Sequence, residues 1–183
     1  DGWRVATTTL MNERVAIGSG TAPRGSGTIA SLVDAWSKRS DELDPTTAAV
    51  MRDRVARLWI EAEVGRLTTI RARAAAAIGN PGPEGSTGKL AWAELNQKIW
   101  NACLDLLGAE GTMHDPGYPL ARDDSATARS DGWPTSKSFL RSQANTIEGG
   151  TSDIMRNILG ERVLGLPGDV RVDKEVPWRD IPT

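Results

Sequence analysis

One long stretch of helical periodicity limits the possible folds of this chain more than any other feature. Between Asp44-Pro45 and Ile78, apolar residues recur at three- and four-residue steps along one face, as Met51, Val55, Leu58, Ala62 and Ile70. Asp44 can cap the first turn, and Pro45 occupies a position where no backbone N–H is needed. The segment Gly79-Asn80-Pro81 cannot continue a helix. The sequence therefore predicts a single long helix between two turns.

The same periodicity indicates further helices, and strand patterns are nearly absent. Helices are predicted over 3–19, 28–43, 86–106 with Ser86 as cap, 134–145 and 151–164, with a glycine-rich break at 18–27. Residues 108–132 form an irregular stretch of a length that is often functional. We therefore predict an all-α fold, an antiparallel up-and-down helical bundle over residues 1–164, followed by an extended tail over 165–183.

Composition excludes several classes of function. With 22 basic and 24 acidic residues the net charge is -2, so there is no basic field for nucleic acid. No apolar run approaches the ~20 residues of a membrane span, and no signal peptide is visible. A single cysteine, Cys103, cannot form an intrachain disulfide, and with the single His114 it argues against a metal site. We expect a cytoplasmic protein whose first residue, Asp1, marks an internal boundary.

The segment with the most specific chemistry is Glu148-Gly149-Gly150-Thr151-Ser152. Two glycines let the backbone approach a planar or anionic ligand, and Thr151 or Ser152 can cap the following helix. The free N–H groups and the dipole of a helix N-terminus favour negative charge. Taken alone, however, these residues are more typical of an ordinary glycine linker followed by a helix cap.

The wider sequence resembles the carboxy-terminal helical domain of acyl-CoA dehydrogenases. The resemblance rests on 146–156 and 161–167, on Asp1-Gly2-Trp3, and on Leu10-Met11-Asn12-Glu13-Arg14. The tail over 171–178 is similar to that of actinobacterial members. The resemblance implies an FAD-dependent oxidoreductase that converts an acyl-CoA to its 2,3-enoyl thioester. It also implies that the amino-terminal helices and the middle β-domain lie outside this chain, which alone should be inactive.

The resemblance also implies roles for individual residues. The family's carboxylate base, which removes the alpha proton, matches either Glu148 or Glu13. Arg14 matches a position that contacts the acyl-CoA, and the backbone at Gly149 one that holds the thioester carbonyl. The flavin-binding positions correspond to Gly150, Thr151, Ser152 and Asp153. The family turn is usually Glu-Gly-Thr, so the extra glycine displaces Glu148 by about one residue, ~3.3–3.6 Å of chain. We therefore favour Glu13 as the base.

Two departures from the family bear on assembly. Residues 40–45 lack the usual Arg-x-x-Phe-Gly stretch that reaches a neighbouring subunit's FAD, and 107–112 lack the glutamine of a Gln-x-x-Gly-Gly-x-Gly turn. Such losses resemble actinobacterial members that form mixed tetramers, several of which act on sterol side-chain CoA thioesters. The resemblance thus implies a hetero-oligomer, with electron-transfer flavoprotein as acceptor. The alternative is a non-catalytic subunit that completes a partner's site.

Overall fold

The computed structural model describes residues 2, 4–6, 8–9, 22–78, 84–112, 135–168 and 177–180, and the described parts contain no β-strand. Within the described ranges, five α-helices have defined bounds: α1 (Thr28–Arg39), α2 (Pro45–Ala77), α3 (Glu84–Leu107), α4 (Thr135–Ser142) and α5 (Ser152–Arg162). Short 3-10 turns lie at Ser40–Glu42, Gly108–Thr112, Gln143–Thr146 and Trp178–Asp180. The predicted all-α fold is confirmed.

Helix α3 is the centre of the bundle. It packs against α1, α2, α4, α5 and the 3-10 turns that follow α3 and α4. Its apolar stripe meets α1 and α2 in one continuous core, whose buried members are Ile29, Leu32, Met51, Val55, Leu58, Ile99, Ala102, Cys103 and Leu106. Burying this apolar surface is the main favourable term in forming the bundle. Because α3 contacts almost every other element, it also carries the residues that support the site.

The start of the long helix α2 follows the predicted capping pattern. The Asp44 carboxylate accepts hydrogen bonds from the backbone N–H groups of Thr46 and Thr47, both at 3.1 Å. Hydrogen bonds from Thr47 are the main reason why the pKa of Asp44 lies below its ordinary value. The cap supplies acceptors for N–H groups that have no partner within the helix.

Four predicted helix ends are wrong by two to four residues. Helix α3 begins at Glu84, so Ser86 lies inside its first turn and is not its cap. A proline such as Pro83 is compatible with a helix start, because no backbone N–H is needed there. Helices α1 and α4 tighten into 3-10 turns at Ser40 and Gln143, as helix ends often do. Helix α5 ends at Arg162, where Val163 and Leu164 both donate their N–H groups to the Leu159 carbonyl.

The two predicted end segments are only partly covered. Residues 4–6 and 8–9 are helical, as predicted, and residue 2 is helical as well, whereas 3, 7 and 10–19 lie outside the described residues. Of the tail, 165–168 and 177–180 are described, and Trp178–Asp180 forms a 3-10 turn. Among the described helices, none is both long enough and apolar enough to cross a membrane.

The carboxyl half of α2 differs from the core. Ile60, Val64, Leu67 and Ile70 are each 41–58% exposed. Ile70 was expected on the buried face and is 41% exposed, because the packing that buries Met51 and Leu58 does not extend to this half of the helix. This half forms one wall of a cavity of about 660 Å³, bounded also by the start of α1 and the amino-terminal half of α3.

Candidate functional site

The glycine turn between α4 and α5 is the most unusual piece of backbone in the described structure. Gly149 has a φ of 64° and Gly150 a φ of 103°, and no residue other than glycine has a positive φ in the described chain. Side chains with a Cβ are strained at such angles, so these two positions require glycine. Gly149 is buried and Gly150 is half-buried. The turn therefore runs close under the surface and leads directly into α5.

The Glu148 carboxylate is held by two side chains of its own segment. Arg141 donates three hydrogen bonds to its two oxygens, at 2.8 to 3.1 Å, and the Asn145 amide donates to Oε1 at 2.6 Å. Burial alone would raise the pKa of Glu148. The hydrogen bonds from Arg141 and Asn145, together with the positive charges of Arg141 and Lys89, outweigh burial and lower that pKa. Glu148 is therefore a fixed, ionised carboxylate.

Two amide side chains of helix α3, Asn96 and Gln97, donate hydrogen bonds to the segment that precedes the glycine turn. The Asn96 amide donates to Asn145 Oδ1 at 2.6 Å, and both residues are buried. Gln97 Nε2 donates to the Ser142 and Gln143 carbonyls, at 3.3 Å each, and to Thr146 Oγ1 at 3.1 Å. A chain of hydrogen bonds thus runs from α3 through Asn145 to Glu148. We call Lys89, Asn96, Asn145 and Glu148 the polar cluster.

Lys89 is the charged member of this cluster. Its side chain rises from the first turns of α3, and the residue is 5% exposed. The ammonium donates to the Asn145 carbonyl at 3.0 Å and to the Gly150 carbonyl at 2.5 Å. A buried ammonium is costly unless such acceptors compensate it.

The start of α5 has the capped geometry predicted for it. Thr151 Oγ1 accepts a hydrogen bond from the Ile154 N–H at 3.2 Å, so Thr151 is the cap. The Oγ of Ser152 is buried and has no hydrogen-bond partner within the described structure. Asp153 is exposed and pairs with Arg156 at 3.4 Å, and Arg156 also binds Glu94 on α3. A donor hydroxyl beside a helix N-terminus suits an acceptor-rich or anionic ring edge, so these residues fit the implied flavin.

The cavity beside α3 has a mixed wall. Trp59, Trp92 and Ile29 supply apolar surface, and Asn96 places a buried side chain there whose Oδ1 has no partner among the described residues. Arg24 lies over the Trp59 ring, 4.8 Å from its centroid. Trp59 and Trp100 are partly buried and pack against the core. Ala22, which also lines the cavity, is the first described residue after residue 9.

Charge on the cavity wall is compensated locally. Glu63 binds Arg66 through two hydrogen bonds of 2.8 Å and lies 3.7 Å from Arg24. Hydrogen bonding from Arg66 is the largest cause that lowers the pKa of Glu63; burial acts in the opposite direction. Within the described ranges, no group of three or more His, Cys, Asp or Glu residues could hold a metal ion.

Of the residues predicted for the site, the structure brings Glu148, Gly149, Gly150, Thr151, Ser152 and Asp153 together in one turn and helix start. Glu13 and Arg14 lie outside the described residues. Sequence reasoning missed Lys89, Asn96 and Asn145. Lys89 and Asn96 fall in helical register with the buried Ala93 and Cys103. Polar residues on an apolar stripe were the signal that could have found them.

Comparison with known proteins agrees with this architecture. Residues 1–164 match the family model described as "Acyl-CoA dehydrogenase, C-terminal domain". The chain is 30% identical over 172 residues to acyl-CoA dehydrogenase IpdE1 of Mycobacterium tuberculosis, covering 93% of this chain and 40% of that protein. It is 29% identical over 168 residues to acyl-CoA dehydrogenase FadE34 of the same organism, covering 91% of this chain and 20% of that protein.

A solved structure shows the same fold. The Tcur3481-Tcur3483 steroid ACAD superposes with a TM-score of 0.66 at 21% identity, over 92% of this chain and 40% of that chain. The chain thus spans about two fifths or less of the length of these relatives.

Proposed function

Because the chain belongs to the acyl-CoA dehydrogenase family, as residues 1–164 show, we propose that the intact protein oxidises an acyl-CoA thioester to its 2,3-enoyl form with FAD. The observation that carries this proposal is the glycine turn: two positive-φ glycines directly before a capped helix, with an unpartnered buried Ser152 hydroxyl. The first N–H groups of a helix such as α5 have no partner within the helix and can therefore bind a ligand.

The proposed roles divide between the turn and the start of α5. Bound FAD supplies the acceptor for the hydride that leaves the beta carbon. The edge of the flavin ring would be held by the Ser152 hydroxyl and by the backbone N–H groups of Gly150, Thr151, Ser152 and Asp153. The backbone at Gly149 would donate to the thioester carbonyl and stabilise the charge that develops there when the alpha proton is removed.

We propose Glu13 as the base, with Arg14 contacting the acyl-CoA. The family's base matches either Glu13 or Glu148, and the support for Glu13 is that the surroundings of Glu148 make it a weak base. Its oxygens are engaged by Arg141 and Asn145, and its pKa is lowered. A general base works best when its pKa lies near the operating pH, so lowering that pKa weakens Glu148 as a proton acceptor. Glu148 then serves to hold the turn.

The proposed substrate class is a sterol side-chain CoA thioester, with a simple fatty acyl-CoA as the alternative. The support is the similarity to the Tcur3481-Tcur3483 steroid ACAD in fold and the motif losses that resemble actinobacterial sterol enzymes. We propose electron-transfer flavoprotein as acceptor and the cytoplasm as location.

A mixed oligomer is proposed for the assembly. Two segments, 40–45 and 107–112, correspond to those that usually contact a neighbour's FAD in the family. Arg39 links them here, because it pairs with Glu42 at 3.3 Å and with Glu110 at 3.0 Å. Both carboxylates remain more than half exposed. Exposed carboxylates repel a diphosphate, so this end of the subunit is poorly suited to hold the FAD of a neighbour.

The same observation favours a second candidate function, a non-catalytic subunit that completes the site of a partner. The two candidates predict different flavin contents. The intact protein should be purified alone and together with the product of the adjacent gene, and FAD counted per chain.

The catalytic proposal predicts bound FAD and dye reduction with a sterol side-chain CoA substrate, together with loss of both when this subunit's Ser152 and Thr151 are changed to Ala. The second candidate predicts that the same double variant leaves FAD content and turnover of the complex unchanged. An intact protein that binds no FAD under either condition contradicts the first proposal.

A further inference from the structure

The hydrogen bonds of Lys89 span the whole glycine turn. One accepting carbonyl, of Asn145, lies before Glu148, and the other, of Gly150, lies after Gly149. The two acceptors are therefore five residues apart in the chain and are joined by one side chain from α3. A single ammonium closes the segment into a loop that is fixed at both ends.

The glycines themselves cannot supply this rigidity. Gly149 and Gly150 have no side chains, and glycine populates many backbone conformations at similar energy. The positive φ angles at both positions are therefore maintained by contacts from outside the turn. Asn96 and Gln97 hold the segment before Glu148, whereas Lys89 holds the carbonyl of the second glycine directly.

This contact also determines which way the following peptide points. No peptide bond in the described chain is cis. In a trans peptide the carbonyl and the next N–H point in opposite directions. Because the Gly150 carbonyl points down to Lys89 on α3, the Thr151 N–H points away from α3. The first donor of the α5 start is thereby directed outward.

We propose that Lys89 is a positioning residue for the site: by binding the carbonyls of Asn145 and Gly150, it directs the Thr151 N–H group, the first donor of the α5 start, toward the bound FAD. This inference rests on the proposed function. Lys89 touches neither reacting group and acts through the backbone of Gly150 and Thr151. Its positive charge also lies close enough to Glu148 to help keep that carboxylate ionised.

The test compares two methionine variants of the intact protein. Lys89→Met keeps an unbranched apolar stem but removes the charge and the donors. Lys98→Met is the matched control, since Lys98 lies on the same helix, is 54% exposed and pairs with Glu61 at 2.9 Å. Two quantities are measured in each: hydrogen exchange of amides 146–151 in flavin-free protein, and the dissociation constant for FAD.

Lys89→Met should speed exchange of these amides by about 10-fold or more and raise the FAD dissociation constant by about 10-fold or more. Lys98→Met should leave both within about 2-fold. The absorption spectrum of flavin bound to Lys89→Met at saturating FAD should also shift, because the donors that face the ring are reoriented. If Lys89→Met does not fold, Lys89→Gln, which keeps an NH2 donor group but removes the charge, is measured in its place and judged by the same outcomes.

Unchanged exchange, or faster exchange with unchanged FAD affinity and spectrum, overturns the proposal for Lys89. A wild-type protein that binds no FAD and oxidises no acyl-CoA instead contradicts the proposed function, and it does so whatever the exchange rates of the Lys89 variant. The two failures are therefore distinguishable.

Discussion

The apolar core and the polar cluster are both built on α3, but different forces hold them. In the core, Leu32 and Cys103 are at most 1% exposed and pack among other apolar side chains. In the polar cluster, Lys89 and Asn145 are almost as deeply buried, at 5% and 4%, yet every contact described above is a hydrogen bond. Apolar burial is non-directional, whereas hydrogen bonds fix an orientation. The core thus stabilises the bundle, and the cluster orients one turn of it.

The largest effect that we expect from this difference is a low reactivity of the Cys103 thiol, which lies in the apolar core. Burial raises the pKa of the Cys103 thiol from 9.0 to about 12, against a smaller opposing effect of Arg54. Because the thiolate is the reactive form, Cys103 in native protein should react with a disulfide reagent at pH 8 about 1000-fold more slowly than in unfolded protein. Stopped-flow labelling with and without denaturant measures the ratio. Comparable rates in both states would mean that the core is open.

Truncation in the core should have the largest effect on stability. Leu32→Ala removes a fully buried side chain and should lower the free energy of unfolding by about 2–5 kcal/mol. Val33→Ala, on the next residue of the same helix and 40% exposed, should cost less than about 1 kcal/mol. Urea unfolding followed by circular dichroism gives both values. Equal losses would show that α1 is not anchored as described.

Truncation of a side chain in the polar cluster should lower the free energy of unfolding less than truncation in the core. Asn145→Ala leaves the Asn96 amide without its acceptor and removes one donor from Glu148. The expected loss is about 1–3 kcal/mol, the cost of an unsatisfied buried polar group. Asn101→Ala is the control, because Asn101 makes an exposed hydrogen bond to the Gln97 carbonyl and its loss should be near zero. If the two variants unfold at the same denaturant concentration, the cluster contributes only orientation.

The ion pair between Glu148 and Arg141 should contribute least to the free energy of unfolding, and its contribution should depend on pH. Since the pKa of Glu148 is lowered from 4.5 in the folded protein, its contribution is present above that value and is lost as pH falls through the folded pKa. Glu148→Gln should therefore cost less than about 1 kcal/mol at pH 7, because Arg141 is half exposed.

That difference between wild type and Glu148→Gln should shrink as the pH falls below 4.5 and through the lower, folded pKa, as measured by thermal unfolding at several pH values. A difference that grows toward low pH would contradict the lowered pKa.

Sequence alone predicted the core well because its signals are local. The long α2 helix follows from one apolar spacing, and its start from Asp44 and Pro45. The start of α5 at Thr151 was likewise readable from a cap residue after two glycines. Errors at the ends of α1, α3 and α4 arose where a helix tightened into a 3-10 turn or began directly after a proline.

Glu148 was predicted, but the other three members of the polar cluster were not, because the contacts of α3 with Asn145 are distant in sequence. Lys89 bonds to a carbonyl 56 residues away, and Asn96 to an amide 49 residues away. Within α3 alone, both are polar residues on an apolar face, with no indication of what would satisfy them. The prediction that Glu148 is not the base came from an extra glycine. The structure adds a physical reason, which is the engagement of its carboxylate by Arg141 and Asn145.

The most direct test of the proposed chemistry compares Glu13→Gln with Glu148→Gln in the intact enzyme. Dye-coupled oxidation of an acyl-CoA and the absorption spectrum of bound flavin are measured for both. If Glu13 is the base, Glu13→Gln should lower the rate by about 100- to 10,000-fold with the flavin spectrum intact. Glu148→Gln, which keeps an oxygen for Arg141 and Asn145, should stay within about 10-fold of wild type. Loss of activity in Glu148→Gln with retained activity in Glu13→Gln would contradict this assignment.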